Sequence, residues 1–399
     1  MTKISYLRKR LREEYKKRNL PEAADIGNAL LNEHTANRLR SQGYANDLFN
    51  VALVYDELEE FEQAASMYIA SIRHICGHGC RAAVHTIFLH SLNNADCLAL
   101  SMRFNNLAGI IAKLGDYEQA REMYKWVRSL NSRLKHEDIY EDAVTSNLYN
   151  MGNVTVRLNS LNEAQDLHDQ ALTRLSLLNG SPEDIINSLH SIAHIHEKKG
   201  DYNEAIHSAG NAAEHAAEHA GGMVLATAHY YLAGLHEANG EDIEALDLYE
   251  KVLEEISPSS CMRRDYMIVL GRRANLVCKM GDTKEAIEYY EEVLDIYNRL
   301  TGLDLENIDD AFYPTCIRNM AELYLENGDY DKLANMLVSV LAQPPKHLGL
   351  DLSGIENAIT ELAFDEETIE LLKEALRDAR AYDSVREMIN RWQKRYEQE

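Results

Sequence analysis

An all-α fold built by repetition is what this 399-residue sequence predicts, on three observations. The chain exceeds the ~250–300 residues at which a single hydrophobic core stops growing, so it needs either two domains or an architecture that extends by repetition. Six Pro and 8% aromatic residues, against abundant Ala, Leu and Glu, favour helices over sheet. The third observation is a period. The segment from Arg103 to Ala120 returns in copies that end at Ala23, Ala64, Ala120, Ala164, Ala205, Ala245, Ala286 and, with Leu substituting, Leu333. The intervals are 41, 56, 44, 41, 40, 41 and 47 residues, a spacing typical of stacked helical units.

Each element follows from residues at fixed offsets from that terminal anchor. Twelve positions earlier stands a small residue in seven copies: Ala52, Ala108, Gly152, Ala193, Ala233, Ala274 and Ala321. It lets a neighbouring helix approach, and the anchor does the same from the other side. Five positions before the anchor, Gly115, Gly200, Gly240, Gly281 and Gly328 mark the end of a first helix. The acids that follow, Asp116, Asp201, Glu241, Asp282 and Asp329, suit the start of a second, where backbone N–H groups are unpaired. Four positions past the anchor, Tyr68, Tyr124, Tyr249 and Tyr290 pack that second helix onto its predecessor. A lone helix pair cannot bury its apolar face but a stack can, which makes the array a solenoid.

The predicted organisation is residues 1–44 as N-terminal capping helices with a degenerate repeat, 45–343 as about seven helix pairs, and 344–399 as C-terminal capping helices. Leu11 replaces the small residue in the first unit, as befits a cap, and Pro344-Pro345 ends the last well-formed one. Beyond it, 366–381 carries Ile369, Leu372, Leu376 and Ala379 at helical spacing. The stretch 382–396 then carries Val385, Met388, Ile389 and Trp392 on one stripe, able to seal the last repeat or a dimer.

The string Asn105-Asn106-Leu107-Ala108 followed by Gly115-Asp116-Tyr117-Glu118-Gln119-Ala120 resembles the tetratricopeptide repeat family, in the long-repeat variety of kinesin light chains and bacterial quorum-sensing regulators. The resemblance covers about 45–340. It implies a right-handed superhelix whose concave face, lined by the first helix of each pair, captures a peptide or protein segment. It also implies that an Asn fourteen residues before the anchor bonds the backbone of a bound peptide; here that position holds Asn50, Asn106, Asn150, Ser191, Tyr231, Arg272 and Asn319. An Asn amide offers both donor and acceptor, so it can pair with a peptide unit.

Neighbouring offsets complete the candidate site. Tyr149, His190 and Tyr230 stand fifteen positions before their anchors, Asn153, His194 and Asn275 eleven, and Lys113, Arg157, Lys198 and Lys279 seven. Cations at or near the groove are expected to select acidic side chains or a free carboxylate in the ligand. Tyr149, Tyr230 and Tyr231 supply amphipathic contact area.

The remaining features exclude more than they assign. A net charge of −24 argues against nucleic acid or anionic lipid as partner. The sequence has no 18-residue apolar run and no apolar stretch at its start, which predicts a soluble, cytoplasmic protein. The six Cys form no dense framework and read as reduced thiols. Cys76, His78 and Cys80, with His74, His85 and His90, sit in the long 56-residue interval, where a mobile turn is a simpler reading than a zinc site. His196 and His236 occupy a position held elsewhere by Tyr55, Ile111 and Tyr324, and are expected in the core. No glycine-rich phosphate loop or converging acid pair is present, so neither an enzyme nor a cofactor is expected. The function this leaves is an interaction scaffold that binds an extended segment. Its alternatives are a peptide-responsive regulator of the quorum-sensing type without its own DNA-binding domain, and an architectural subunit.

Overall fold

The structure, a computed structural model, describes residues 2–36, 42–76, 92–134, 140–256, 263–299 and 312–336 apart from 330 and 334. Every regular element delimited among them is an α-helix: α1 (Lys3–Lys16), α2 (Leu20–Ala36), α3 (Gln42–Glu57), α4 (Phe61–Cys76), α5 (Asn94–Lys113), α6 (Tyr117–Asn131), α7 (Tyr140–Arg157), α8 (Leu161–Leu178), α9 (Pro182–Lys199), α10 (Tyr202–His219), α11 (Gly222–Asn239), α12 (Asp242–Glu255), α13 (Arg263–Lys279), α14 (Thr283–Arg299) and α15 (Phe312–Asn327). The chain divides into two compact units, Met1–Ala212 and Ala213–Glu399. In the first unit each helix from α1 to α8 packs on its successor, and the first helices α5, α7 and α9 also touch. In the second, α11 to α14 each pack on the next helix.

The residues that define the repeat are those that vanish from the surface. All eight anchors, from Ala23 to Leu333, have no exposed area, and neither do Ala52, Ala108, Ala193, Ala233, Ala274 and Ala321. Leu11, the substitute in the capping pair, is buried as well. Tyr68, Tyr124, Tyr249 and Tyr290 are buried beside them. Where the fourth repeat has His168 instead of Tyr, the small position is Gly152, and a Cβ there would lie 2.6 Å from the His168 Nε2. The glycine makes room for a buried imidazole.

One turn geometry joins every helix pair. The residue five before the anchor adopts a left-handed backbone conformation, at Gly115, Gly200, Gly240, Gly281 and Gly328, but also at Arg18, Glu59 and Asn159, where φ is 61°, 61° and 59°. The N–H groups of this residue and the next return to the preceding helix, as from Glu59 to the Asp56 carbonyl and from Glu60 to that of Tyr55. The chain adopts the turn even where no glycine eases it. The acids expected at the following helix starts behave unequally: Asp116 and Asp282 accept N–H bonds from Gln119 and Glu285, whereas Glu241 turns back to His236 at 2.5 Å and Asn239 at 2.8 Å.

The cap is fastened to the first full repeat by buried charge. Asp47 on α3 accepts from Arg8 Nε on α1 at 2.8 and 2.9 Å and lies 2.7 Å from His34 Nε2 on α2. The expected Cys/His turn from 77 onward and the C-terminal helices within 366–396 lie outside the described residues.

Candidate functional site

The first helices present two kinds of polar residue, one engaged sideways with the preceding repeat and one facing outward. Among the engaged are three of the asparagines fourteen residues before the anchor. Asn106 Nδ2 on α5 donates to the Tyr68 hydroxyl on α4 at 3.4 Å. Asn319 Nδ2 on α15 donates to the Tyr290 hydroxyl on α14 at 3.1 Å and to Asn275 Oδ1 on α13 at 2.9 Å, while Tyr290 itself donates to Asn275 at 2.5 Å. Asn150 donates to Asn105 at 3.3 Å. In the seventh repeat the same position is Arg272, which lies beside Tyr230 and Tyr249. Burial holds the Tyr68 and Tyr290 phenols well above their usual range, so they stay protonated and able to accept and donate at once.

Four of the candidate cations also have partners one repeat back. Lys113 Nζ meets Asp56 at 2.7 Å and lies 5.1 Å over the Phe61 ring. Lys279 meets Asp242 at 2.7 Å. The Arg157 guanidinium lies 5.4 Å over Tyr117 and donates to its hydroxyl at 3.2 Å. Arg272 is 3.6 Å from Glu237, which also accepts from Tyr249 at 2.8 Å. The sequence shows these acids and rings, but their relation to the cations is hidden, because each pair spans about one period along the chain. The Tyr that recurs four positions past the anchor is the one sequence signal of a partner for the asparagines.

Outward-facing groups remain at the other offsets. Asn153, Arg157, Lys113 and His194 are exposed, His194 beside Glu197 of its own helix at 3.1 Å. Tyr149 and Tyr230 are half-buried, their rings 5.3 Å from His168 and 5.9 Å from Tyr249. Burial pushes the half-buried His190 imidazole down, so it is neutral at pH 7. In the first unit the structure thus places Lys113, Asn106, Tyr149, Asn150, Asn153, Arg157, His190 and His194 on successive first helices; in the second, Tyr230, Arg272, Asn275 and Asn319.

Two histidines differ from expectation. His196 and His236 are half-buried rather than core residues, because each finds a polar partner at the helix end, Gln165 at 3.4 Å and Glu241 at 2.5 Å. Among the described residues no three His, Cys, Asp or Glu side chains converge as a metal set, and no described helix is long and apolar enough to cross a membrane.

Known proteins can now be set beside this geometry. Residues 186–214 and 224–299 match the tetratricopeptide repeat family. No curated protein matches the chain. Among solved structures, the chain is similar to a signal transduction ATPase with numerous domains from Pyrococcus horikoshii, which has a tetratricopeptide repeat sensor. That match has 15% identity and TM-score 0.59, over 84% of this chain and 46% of that one. The C-terminal part of a repeat protein from Cytophaga hutchinsonii is 16% identical over 81% of this chain and all of that one, at TM-score 0.52. The apo form of RapI is 13% identical over 74% and 98%, at 0.51. Likenesses at these identities speak for the fold, and residues 186–214 and 224–299 carry tetratricopeptide-repeat sequence within it.

Proposed function

We propose that this protein is an interaction scaffold that binds an extended protein or peptide segment along the first helices of its repeats. The observation that carries the reading is the division of labour on those helices: small residues are buried at one offset, while amide, cationic and aromatic groups stand outward at the offsets beside it. Extended ligands need main-chain partners at regular spacing, and a repeated Asn or Tyr supplies them. The lateral bonds of Asn106 and Asn319 fix the side chains before a ligand arrives, which lowers the entropy lost on binding. Lys113, Lys279 and Arg272 are set against carboxylates already, so an acidic ligand would have to displace Asp56, Asp242 or Glu237. Arg157, whose partner is a phenol, is the cation best placed to take a ligand carboxylate.

The test uses exposed positions, of which only Arg157 touches a neighbouring helix, through the Tyr117 ring and hydroxyl. Proteins captured from native lysate by the intact chain are compared with those captured by Asn153→Ala, Arg157→Ala, His194→Ala combined, after equal helicity is confirmed. Loss of a defined set of proteins supports the first-helix surface. Equal capture moves binding off these first helices, to the second unit, the second helices or the termini.

A further inference from the structure

The second unit contains an apolar socket of about 160 Å³, lined by Met223, Ala226, Thr227 and Tyr230 of α11, Val252 and Ile256 at the end of α12, and Asp265, Ile268 and Val269 of α13. In the first unit α5, α7 and α9 touch, whereas α11 and α13 approach less closely and leave the gap between them unfilled. The side chains on the α11 wall are short at Ala226 and Thr227, which leaves the floor to Val252 and Ile256. Most of its lining is hydrocarbon, and a half-open apolar hollow of this size accepts a benzene-sized group without a hydrogen-bonding requirement.

We propose that this socket receives one apolar side chain, of leucine to phenylalanine size, from an extended peptide in which a Lys or Arg lies next to that residue. The neighbouring charge is set by Asp265, the one acidic side chain in the lining. Its Oδ1 takes both bonds from Arg264, at 3.1 Å, and its Oδ2 has no donor among the described residues. A ligand cation completes that carboxylate, and the chain's charge of −24 draws cationic segments toward it over longer range. Tyr230 forms part of the socket wall and belongs to the surface proposed above, so the inference rests on that reading and specifies what the surface selects.

The experiment is selection of a randomised heptapeptide library on the full chain, in parallel with Thr227→Phe and Asp265→Asn. Thr227 is exposed at the socket mouth, so a phenyl group there fills the hollow without entering the core. The expected result is convergence on an apolar residue adjacent to Lys or Arg, with the selected peptides binding Thr227→Phe about tenfold more weakly or worse. Asp265→Asn should keep the apolar preference and lose the basic one. Absence of convergence, an acidic consensus, or peptides that bind Thr227→Phe as well as the intact chain would each overturn the proposal. These outcomes leave the lysate comparison untouched, because its substitutions lie at Asn153, Arg157 and His194; failure of that comparison with a socket-dependent consensus would restrict binding to the second unit.

Discussion

Glu59 shows how strongly the array imposes its backbone on single residues. It adopts the left-handed turn at φ 61° that five other repeats give to glycine, at a cost of about 1 kcal/mol for a residue with a Cβ. Glu59→Gly is therefore expected to raise stability by up to about 1 kcal/mol, part of the strain being returned as unfolded-state entropy, and urea denaturation measures it. His168 makes a different prediction. It is fully buried, neither ring nitrogen has a partner among the described residues, and burial lowers its pKa from 6.5 to about 4. The unfolded chain takes up a proton at this side chain first, so the contribution is neutral above 6.5 and turns against folding as pH falls toward 4. The full difference is on the order of 3 kcal/mol. His168→Leu should flatten the decline of melting temperature between neutral and mildly acidic pH; an unchanged slope would place that acid sensitivity elsewhere.

Among the helices, charge and shape decide which neighbours stay joined. Asp47 binds α1 and α2 to α3 through Arg8 and His34, and it is itself almost wholly buried. Removing one member of a buried ionic group leaves the others unpaired, so Asp47→Ala should cost about 3 kcal/mol and loosen the cap before the rest of the first unit. Limited proteolysis should then cut first within residues 2–36. At the fourth repeat, Gly152→Ala places a methyl group against the His168 ring and should destabilise the α7/α8 pair, while the same change combined with His168→Ala relieves the clash. Double-mutant denaturation reads that coupling directly.

At the scale of the molecule, repetition replaces a single centre with a series of nearest-neighbour interfaces. A perturbation should accordingly spread by neighbours rather than everywhere at once. Ala108→Leu overfills a site with no exposed area on α5. Hydrogen exchange is expected to accelerate most in α5 and α6, less in α3, α4, α7 and α8, and little in α1. A uniform rise across the first unit would show that it unfolds as one cooperative body instead. The net charge of −24 adds a second expectation for the whole chain: association with cationic peptides should weaken as salt is raised.

The sequence by itself determined the helical class, the positions of the turns and the residues that disappear into the core, because these are set by local chemistry repeated at a fixed spacing. Ala64, Gly115 and Tyr290 could be assigned their places from offsets alone, and the structure puts them there. Even the left-handed turns at Arg18, Glu59 and Asn159 were implied by register, although their side chains gave no sign of it. Only the tertiary structure decided what the polar residues of the first helices touch. Asn106 meets Tyr68, Lys113 meets Asp56 and Asn319 meets Tyr290 across roughly a repeat of chain, a separation at which no periodicity distinguishes a ligand-facing side chain from one bonded to its neighbour. The socket between α11 and α13 lies further still from the sequence, since it is a gap, and a gap depends on how closely two helices approach rather than on the identity of any one residue.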